Sequence, residues 1–345
     1  MNFFEPKFQG NKHFITRWHS IFFSKNVTFV EICTNSPFFL GIVFTVKNAK
    51  CGVPQGAVLS PVLFGIYVNE IPTILPANVK VQQFADDTKL YVHKPKGDQS
   101  NSLQEAIDRV ANWSVSNNLA LNEQKTVHLT IGKKRQNFTY KINGQDIKKE
   151  STTRDLGFMI SHNLDFSEHW KKAINSSKFQ MTQIFNHYNS NKPNLIFLLY
   201  KTFIRPLLEY GTVISSPPKQ SDIRAIEAVQ NSFTRRLYSR TVGKYVSISD
   251  PEYKTSAERN ELFGLTTLQR RRLTTDKKMI SKMINGKIDL KVPEFFTFSD
   301  NTRTRCKRKF SWSRCKSKIR KHFFVNRILS QPAFLKFISN LNKDN

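Results

Sequence analysis

The chain has 345 residues, enough for two or three compact domains with a sizeable core. Hydrophobic residues at 39% and charged residues at 23% are an ordinary globular balance, which excludes wholesale disorder. The charge is not ordinary: 54 Lys and Arg against 26 Asp and Glu leave +28, so nucleic acid is the leading partner and a membrane surface the alternative polyanion.

No apolar run approaches the roughly 20 residues that cross a bilayer. Glu5, Lys7, Lys12 and Arg17 interrupt the N-terminal apolar residues, so no secretory signal is expected. Residues 1–50 are rich in Phe and β-branched side chains, with strands expected at Val27 to Ile32 and Gly41 to Val46. A punctuated loop follows from Gly52 to Pro61. Ser60 is placed to cap a helix and Pro61 to occupy its first turn, with Val62 to Val68 buried behind them.

Val79 to Val92 predicts two short strands around an acidic turn at Asp86-Asp87. An amphipathic helix is expected near 101–117, with Leu103, Ile107, Val110 and Ala111 on one face. Leu119 to Ile131 reads as a turn into a strand, and Tyr140 to Ile147 as a hairpin around Asn143-Gly144. Beyond Leu156-Gly157 the pattern becomes helical. Ser167 is expected to cap a helix striped by Trp170, Ile174, Ser177, Met181, Ile184 and Phe185. A second helix spans about Asn194 to Glu209, where Pro206 should kink or end the regular ladder. A third starts near Ser221 and carries Ile223, Ile226, Gln230, Phe233 and Leu237 on one side. These stripes read as core seams.

Residues 301–343 contain no acidic residue and crowd ten basic ones between Arg303 and Lys321. Arg303, Arg305, Lys307, Arg308 and Lys309 lead this run, and Phe310, Trp312 and Phe323 are interleaved with it or follow it. Cations can track phosphates there while aromatics stack on unpaired bases; a solvated charged face is the alternative. Cys306, Cys315 and His322 fit no familiar zinc spacing, so the four cysteines are read as free thiols and no metal is assigned to them.

Two features carry chemistry. Adjacent carboxylates at a hairpin tip repel each other unless water or a cation relieves them, and a hard divalent ion shared with substrate phosphates is one solution. A solvated turn is the other. In the Gly/Pro loop, Gly56 lets backbone approach a ligand and Gln55 can hydrogen-bond a base or sugar edge; a tight turn before a buried helix explains the same residues.

Cys51-Gly52-Val53-Pro54-Gln55-Gly56-Ala57-Val58-Leu59-Ser60-Pro61-Val62-Leu63-Phe64, followed by Phe84-Ala85-Asp86-Asp87, resembles the reverse transcriptases of non-LTR retrotransposons of the jockey type. The resemblance continues through Asn118 to Thr126, Thr153-Arg154-Asp155-Leu156-Gly157, Leu164 to His169, Tyr200 to Tyr210 and Ile226 to Gln230, and reaches upstream to Arg17-Trp18-His19-Ser20-Ile21-Phe22-Phe23. It implies an α+β fold: a partial right-hand polymerase palm, an antiparallel sheet with packed helices, and then a mainly helical thumb and a basic C-terminal extension. The expected divisions are 1–160, 161–245 and 246–345.

The resemblance also assigns roles. Asp86 would bind catalytic Mg²⁺ and Asp87 assist it. Gln55 and Gly56 would meet the template base or incoming nucleotide, with Ser60 supporting the loop. Lys125 would lie near the triphosphate, and Leu156-Gly157 would resemble the primer grip. The partners implied are an RNA template, a DNA primer and deoxynucleoside triphosphates, and the setting intracellular, nucleus or cytoplasm. One departure stands out: the family's palm carries an Asp on an earlier strand, and no Asp precedes Asp86 here. The expectation is an N-terminally truncated polymerase that holds metal weakly and has little activity alone. The alternatives are a non-enzymatic nucleic-acid-binding remnant and a decaying element without a selected role.

Overall fold

The computed structural model describes residues 28–33, 43–48, 57–93, 100–132, 138–188, 193–288, 297–298, 310–311 and 322–329. The backbone forms two compact units, residues 1–130 with 135–150, and residues 131–134 with 151–345. Helices and small sheets mix in an α+β pattern, and the described strands pair only two by two.

In the first unit, β1 (Thr28–Cys33) pairs antiparallel with β2 (Val43–Asn48). Helix α1 (Ser60–Val68) precedes the hairpin of β3 (Val79–Phe84) and β4 (Asp87–Val92), and α2 spans Ser102–Ser116. The apolar face expected on α2 divides between two clusters. Val110 and Trp113 join Phe64, Tyr67, Val68, Ile71 and Leu119, whereas Ala111, Leu103 and Ile107 meet Tyr140, Ile142 and Ile147. Trp113 donates its indole N–H to Glu70 at 3.3 Å, so its polar edge is satisfied beside the core. A 3₁₀ turn at Glu123–Lys125 leads into β5 (Val127–Leu129). The expected Asn143-Gly144 turn joins β6 (Lys141–Ile142) to β7 (Gln145–Asp146), both turn residues having positive φ, 49° and 81°. Strand β8 (Lys148–Glu150) then runs parallel to β5.

The second unit opens with the hairpin of β9 (Thr152–Asp155) and β10 (Phe158–Ser161), followed by α3 (Ser167–His187). All six residues of the expected α3 stripe are buried. Its cap differs from expectation: Ser167 is the first helical residue, and its amide and hydroxyl donate to the Asp165 carboxylate at 3.0 and 2.8 Å. Asp165, two residues earlier, accepts the first free amide of the helix, which Ser167 itself cannot do.

Helix α4 (Pro193–Leu199) passes through a π segment at Tyr200–Ile204 into α5 (Arg205–Glu209). Pro206 supplies no N–H for the carbonyl one α-turn before it, so the ladder widens where a kink was expected. Ile196, Tyr200, Ile204 and Leu208 are all buried at four-residue spacing. In a regular α-helix four residues overshoot a full turn by about 40°, and the wider segment compensates that drift.

After α6 (Thr212–Ser215) come α7 (Gln220–Val242), α8 (Ser256–Leu262) and α9 (Leu268–Ile284). Ile226, Val229, Phe233 and Leu237 of α7 meet Trp170, Ile184 and Phe185 of α3 and the Tyr200 face in one core. Inside it Tyr200 donates to Gln230 at 2.7 Å, and Gln230 donates to Thr266 at 3.1 Å, so the buried polar groups are paired. Short strands β11 (Thr297–Phe298) and β12 (Phe310–Ser311) pair, and α10 (Phe324–Leu329) packs its Phe324, Val325, Ile328 and Leu329 on Ile280 and Met283.

One buried histidine gives this unit a pH signature. His169 is 6% exposed, packs 5.3 Å from Phe158 and 5.1 Å from Trp170, and its Nε2 has no hydrogen-bond partner. Burial holds its pKa below the usual imidazole value. Unfolded chains therefore take up a proton, near pH 6.5, that the fold refuses. Stability present above that pH is lost as pH falls through the depressed folded value. The urea midpoint should drop between pH 7.5 and 5.5, and His169→Gln should flatten the drop; an equal slope in the variant would refute the assignment.

Candidate functional site

The acidic hairpin is built from strand alternation. Val79, Val81, Leu90 and Val92 lie on one face, where Val81 and Leu90 pack on the cluster of α1 and α2. Gln83 donates to the Val68 carbonyl at 3.3 Å, fastening the end of β3 to the C-terminal end of α1. Phe84 and Asp87 form the closing pair, which makes Ala85 and Asp86 the two turn residues. Ala85 takes φ +50°, a left-handed conformation that costs a non-glycine residue roughly 1 kcal/mol. The turn thus holds Asp86 half-buried and Asp87 exposed, side by side, with Phe84 exposed next to them.

Ser60 does not cap α1. It is the first helical residue, the cap position falls on Leu59 with φ −83°, and the Ser60 amide donates back to Ala57 at 3.2 Å. The turn begins one residue earlier than the Ser-Pro pair suggests because Leu59 already has helical backbone angles. Gln55 and Gly56 lie outside the described residues. Lys125 is exposed on the 3₁₀ turn, where its amide donates to the Asn122 side chain at 3.0 Å. Leu119 and Leu121, which lead into that turn, pack in the cluster that carries Val81 and Leu90. The Lys125 segment and the acidic hairpin therefore rest on one apolar support.

The donor set at the tip is two carboxylates from one turn. Among the described residues no group of three or more His, Cys, Asp or Glu side chains gathers that could hold a metal ion. Two carboxylates with water and substrate phosphates suit one hard divalent cation, but a two-ion centre needs more oxygen donors than this turn supplies.

In the second unit Leu156 and Gly157 are the two turn residues of the β9–β10 hairpin, with φ +43° and +87°. Leucine is a strained choice at the first position. Tyr210 compensates: its hydroxyl donates to the Leu156 carbonyl at 2.8 Å, and its ring stacks on Phe158 with centroids 5.1 Å apart. Gly211 has φ +61°, and a Cβ there would lie 2.0 Å from Phe158 Cζ, so the aromatic clamp closes only over glycine. The expected grip residues are thus a rigid, partly exposed hairpin tip.

A basic cleft that the sequence reading missed lies between α3 and α7. It has a volume of about 600 Å³, and no acidic side chain lines it. Arg236 and Arg240 sit 4.8 and 5.0 Å from the Phe185 ring centroid, and Arg235 lies 5.2 Å from that of Tyr245. Arg240 donates to the carbonyls of Phe185 and Tyr188 at the end of α3, whereas Arg235 and Arg236 are exposed. The available signal was the cationic face of α7 opposite its apolar stripe. Arg303, Arg305, Lys307, Arg308 and Lys309, with Cys306 and Cys315, lie outside the described residues. No described helix is long and apolar enough to cross a membrane.

Comparison with known proteins matches the first part of the chain to one family model. Residues 13–160 match the family model of reverse transcriptase (RNA-dependent DNA polymerase). The RNA-directed DNA polymerase from mobile element jockey of Drosophila melanogaster is 25% identical over 209 residues, covering 57% of this chain and 23% of the relative. The probable RNA-directed DNA polymerase from transposon X-element of the same organism is 26% identical over 211 residues, covering 58% and 23%. That from transposon BS is 24% identical over 203 residues, covering 54% and 22%. The chain therefore spans under a quarter of the length of these relatives. No solved structure matches it. The acidic hairpin and the helix before it fall inside the matched segment, which is similar to the reverse transcriptase family and, in its relatives, to the polymerases of jockey-like mobile elements.

Proposed function

We propose that the chain is the palm remainder, thumb and C-terminal extension of an RNA-directed DNA polymerase, which transfers a nucleotidyl group to a primer 3′-hydroxyl on an RNA template and releases pyrophosphate. The observation that carries this reading is the Asp86-Asp87 turn, strained at Ala85 and fastened through Gln83 and Val81 to the helix that follows the Gln55-Gly56 loop. A two-residue hairpin turn asks for positive φ at its first position, and here that turn sets two carboxylates together at one tip. Asp86 and Asp87 would hold Mg²⁺, whose chemistry is to neutralise phosphate charge and lower the pKa of the attacking hydroxyl. Lys125 would meet the triphosphate as a cation. The Leu156-Gly157 tip, braced by Tyr210, would position the primer strand.

The partners proposed are template RNA, primer DNA and deoxynucleoside triphosphates. The acid-free cleft of Arg235, Arg236 and Tyr245 supports a nucleic-acid surface in the helical unit, since cations meet phosphates and an exposed Tyr can stack on a base. Arg235→Glu with Arg236→Glu should weaken binding of a 20-nucleotide RNA and lower the slope of log affinity against log salt by about two contacts. An unchanged slope would remove the cleft from the interface.

A second reading is favoured by the two-carboxylate donor set: a nucleic-acid-binding remnant without the chemistry. Primer extension on RNA with Mg²⁺ and nucleotides separates the two. We expect this chain alone to extend little, and a form lengthened at its N-terminus with the preceding segment of the jockey polymerase to extend robustly. Failure of the lengthened form, with RNA binding intact, would leave the remnant reading.

A further inference from the structure

A second cleft, of about 450 Å³, lies in the helical unit between the Pro217-Pro218 turn, the first half of α9 and α10. Arg270, Arg272, Arg327 and His322 line it, and Asp276 is the one acid among its lining residues. That acid is already engaged: Asp276 accepts from Arg327 Nη2 at 3.0 and 3.1 Å. Glu227, the next carboxylate, accepts from the backbone amides of Leu268 and Gln269 at 3.2 and 2.6 Å and lies 3.9 Å from Arg272, beyond hydrogen-bond reach.

The two Nη nitrogens of Arg272 are left without a hydrogen-bond acceptor, with the Glu227 carboxylate as a distant ion-pair partner. The residue is 4% exposed, and neither Nη1 nor Nη2 has a hydrogen-bond partner. A guanidinium stays charged at any physiological pH, and buried Nη donors without acceptors are costly even when carboxylates lie nearby. Burial pushes its pKa down, against the opposing pull of Glu227, Glu209 and Asp276. Two donor nitrogens in one plane match two oxygens of a tetrahedral oxyanion, and Arg270, exposed on the rim, adds a third cation.

We propose that this cleft holds a phosphate group, gripped by the fork of Arg272 and flanked by Arg270 and Arg327. The group is a phosphate oxyanion, supplied free in solution or by the backbone or end of a nucleic acid. The proposal does not rest on the polymerase reading, because it needs no metal and no residue of the acidic hairpin.

The test is thermal unfolding of the purified full chain at pH 7.5, with inorganic phosphate against sodium chloride at equal ionic strength. Phosphate should raise the melting temperature beyond chloride, and Arg272→Gln should lose that increment. Because Arg272→Gln removes a buried side chain, Arg270→Glu on the exposed rim provides the second variant, expected to weaken the response about tenfold in phosphate concentration. Lys178→Glu, the same charge change at an exposed position of α3, should respond as wild type. Competition by a 5′-phosphorylated oligonucleotide but not its dephosphorylated form would assign the site to an end phosphate, competition by both to the backbone, and by neither to free phosphate. No increment over chloride in wild type, or equal loss in Lys178→Glu and Arg270→Glu, would overturn the proposal and leave water as the partner of Arg272.

Discussion

Gly211→Ala is expected to destabilise the helical unit by about 2–4 kcal/mol, the sum of a left-handed backbone penalty and an overpacked contact. Both terms come from the same place. Gly211 has φ +61°, and the added methyl would stand 2.0 Å from Phe158 Cζ. Phe158 has little room to retreat, with Tyr210 stacked at 5.1 Å and His169 at 5.3 Å. The ring or the turn must move, and either movement opens the bond from Tyr210 to Leu156 that braces the hairpin tip. Urea unfolding followed by circular dichroism reads the loss. A change below about 0.5 kcal/mol would mean that the clamp is looser than this geometry.

Asp86→Asn in the N-terminally lengthened form should reduce RNA-templated primer extension by about 100-fold or more, on the order of 3 kcal/mol of transition-state stabilisation. Asparagine keeps the size of the side chain and is at home in turns, so the hairpin should survive. What goes is the negative charge that a divalent ion needs. Asp146→Asn, an exposed acid on β7 beyond the acidic hairpin, is the matched control and should leave the rate unchanged. Gel-resolved extension of a labelled primer measures both. Extension by Asp86→Asn within about threefold of the parent would take the acidic tip out of the chemistry.

The long helices of the second unit were legible because their stripes run without interruption. Trp170 to Phe185 and Ile226 to Leu237 are buried where the 3.6-residue period places them. The acidic hairpin was legible from alternation, but its turn falls on Ala85 and Asp86, one residue before the Asp86-Asp87 pair that was expected to form it. Other features were written in the sequence but in a form that periodicity does not read. Thr255 and Glu258 form a reciprocal capping box that starts α8, a signal of spacing alone. The cap position of α3 falls on Phe166, one residue before Ser167, and it is Asp165 just ahead of it that accepts the first free amide; serine and aspartate both suit that task, and only the path of the chain decides between them.

Arg270-Arg271-Arg272 shows where composition fails. The run reads as one solvated basic patch, yet successive residues turn by about 100° around a helix. Arg270 faces solvent, Arg271 pairs with Glu209, and Arg272 is buried. No local property of the sequence separates these fates. Likewise Leu156 looks like an ordinary apolar residue before a glycine, and its strained backbone emerges only once Tyr210 is in place.

The π segment at Tyr200–Ile204 acts as a phase corrector for everything after it. It resets the rotation of the rod so that Leu208 meets the core while Glu209 reaches Arg271 and Arg205. Excising one residue there would restore an even winding and swing both groups about a quarter-turn away, trading a buried leucine for a buried carboxylate. This stretch can exchange side chains of like size, but its length is fixed to the residue.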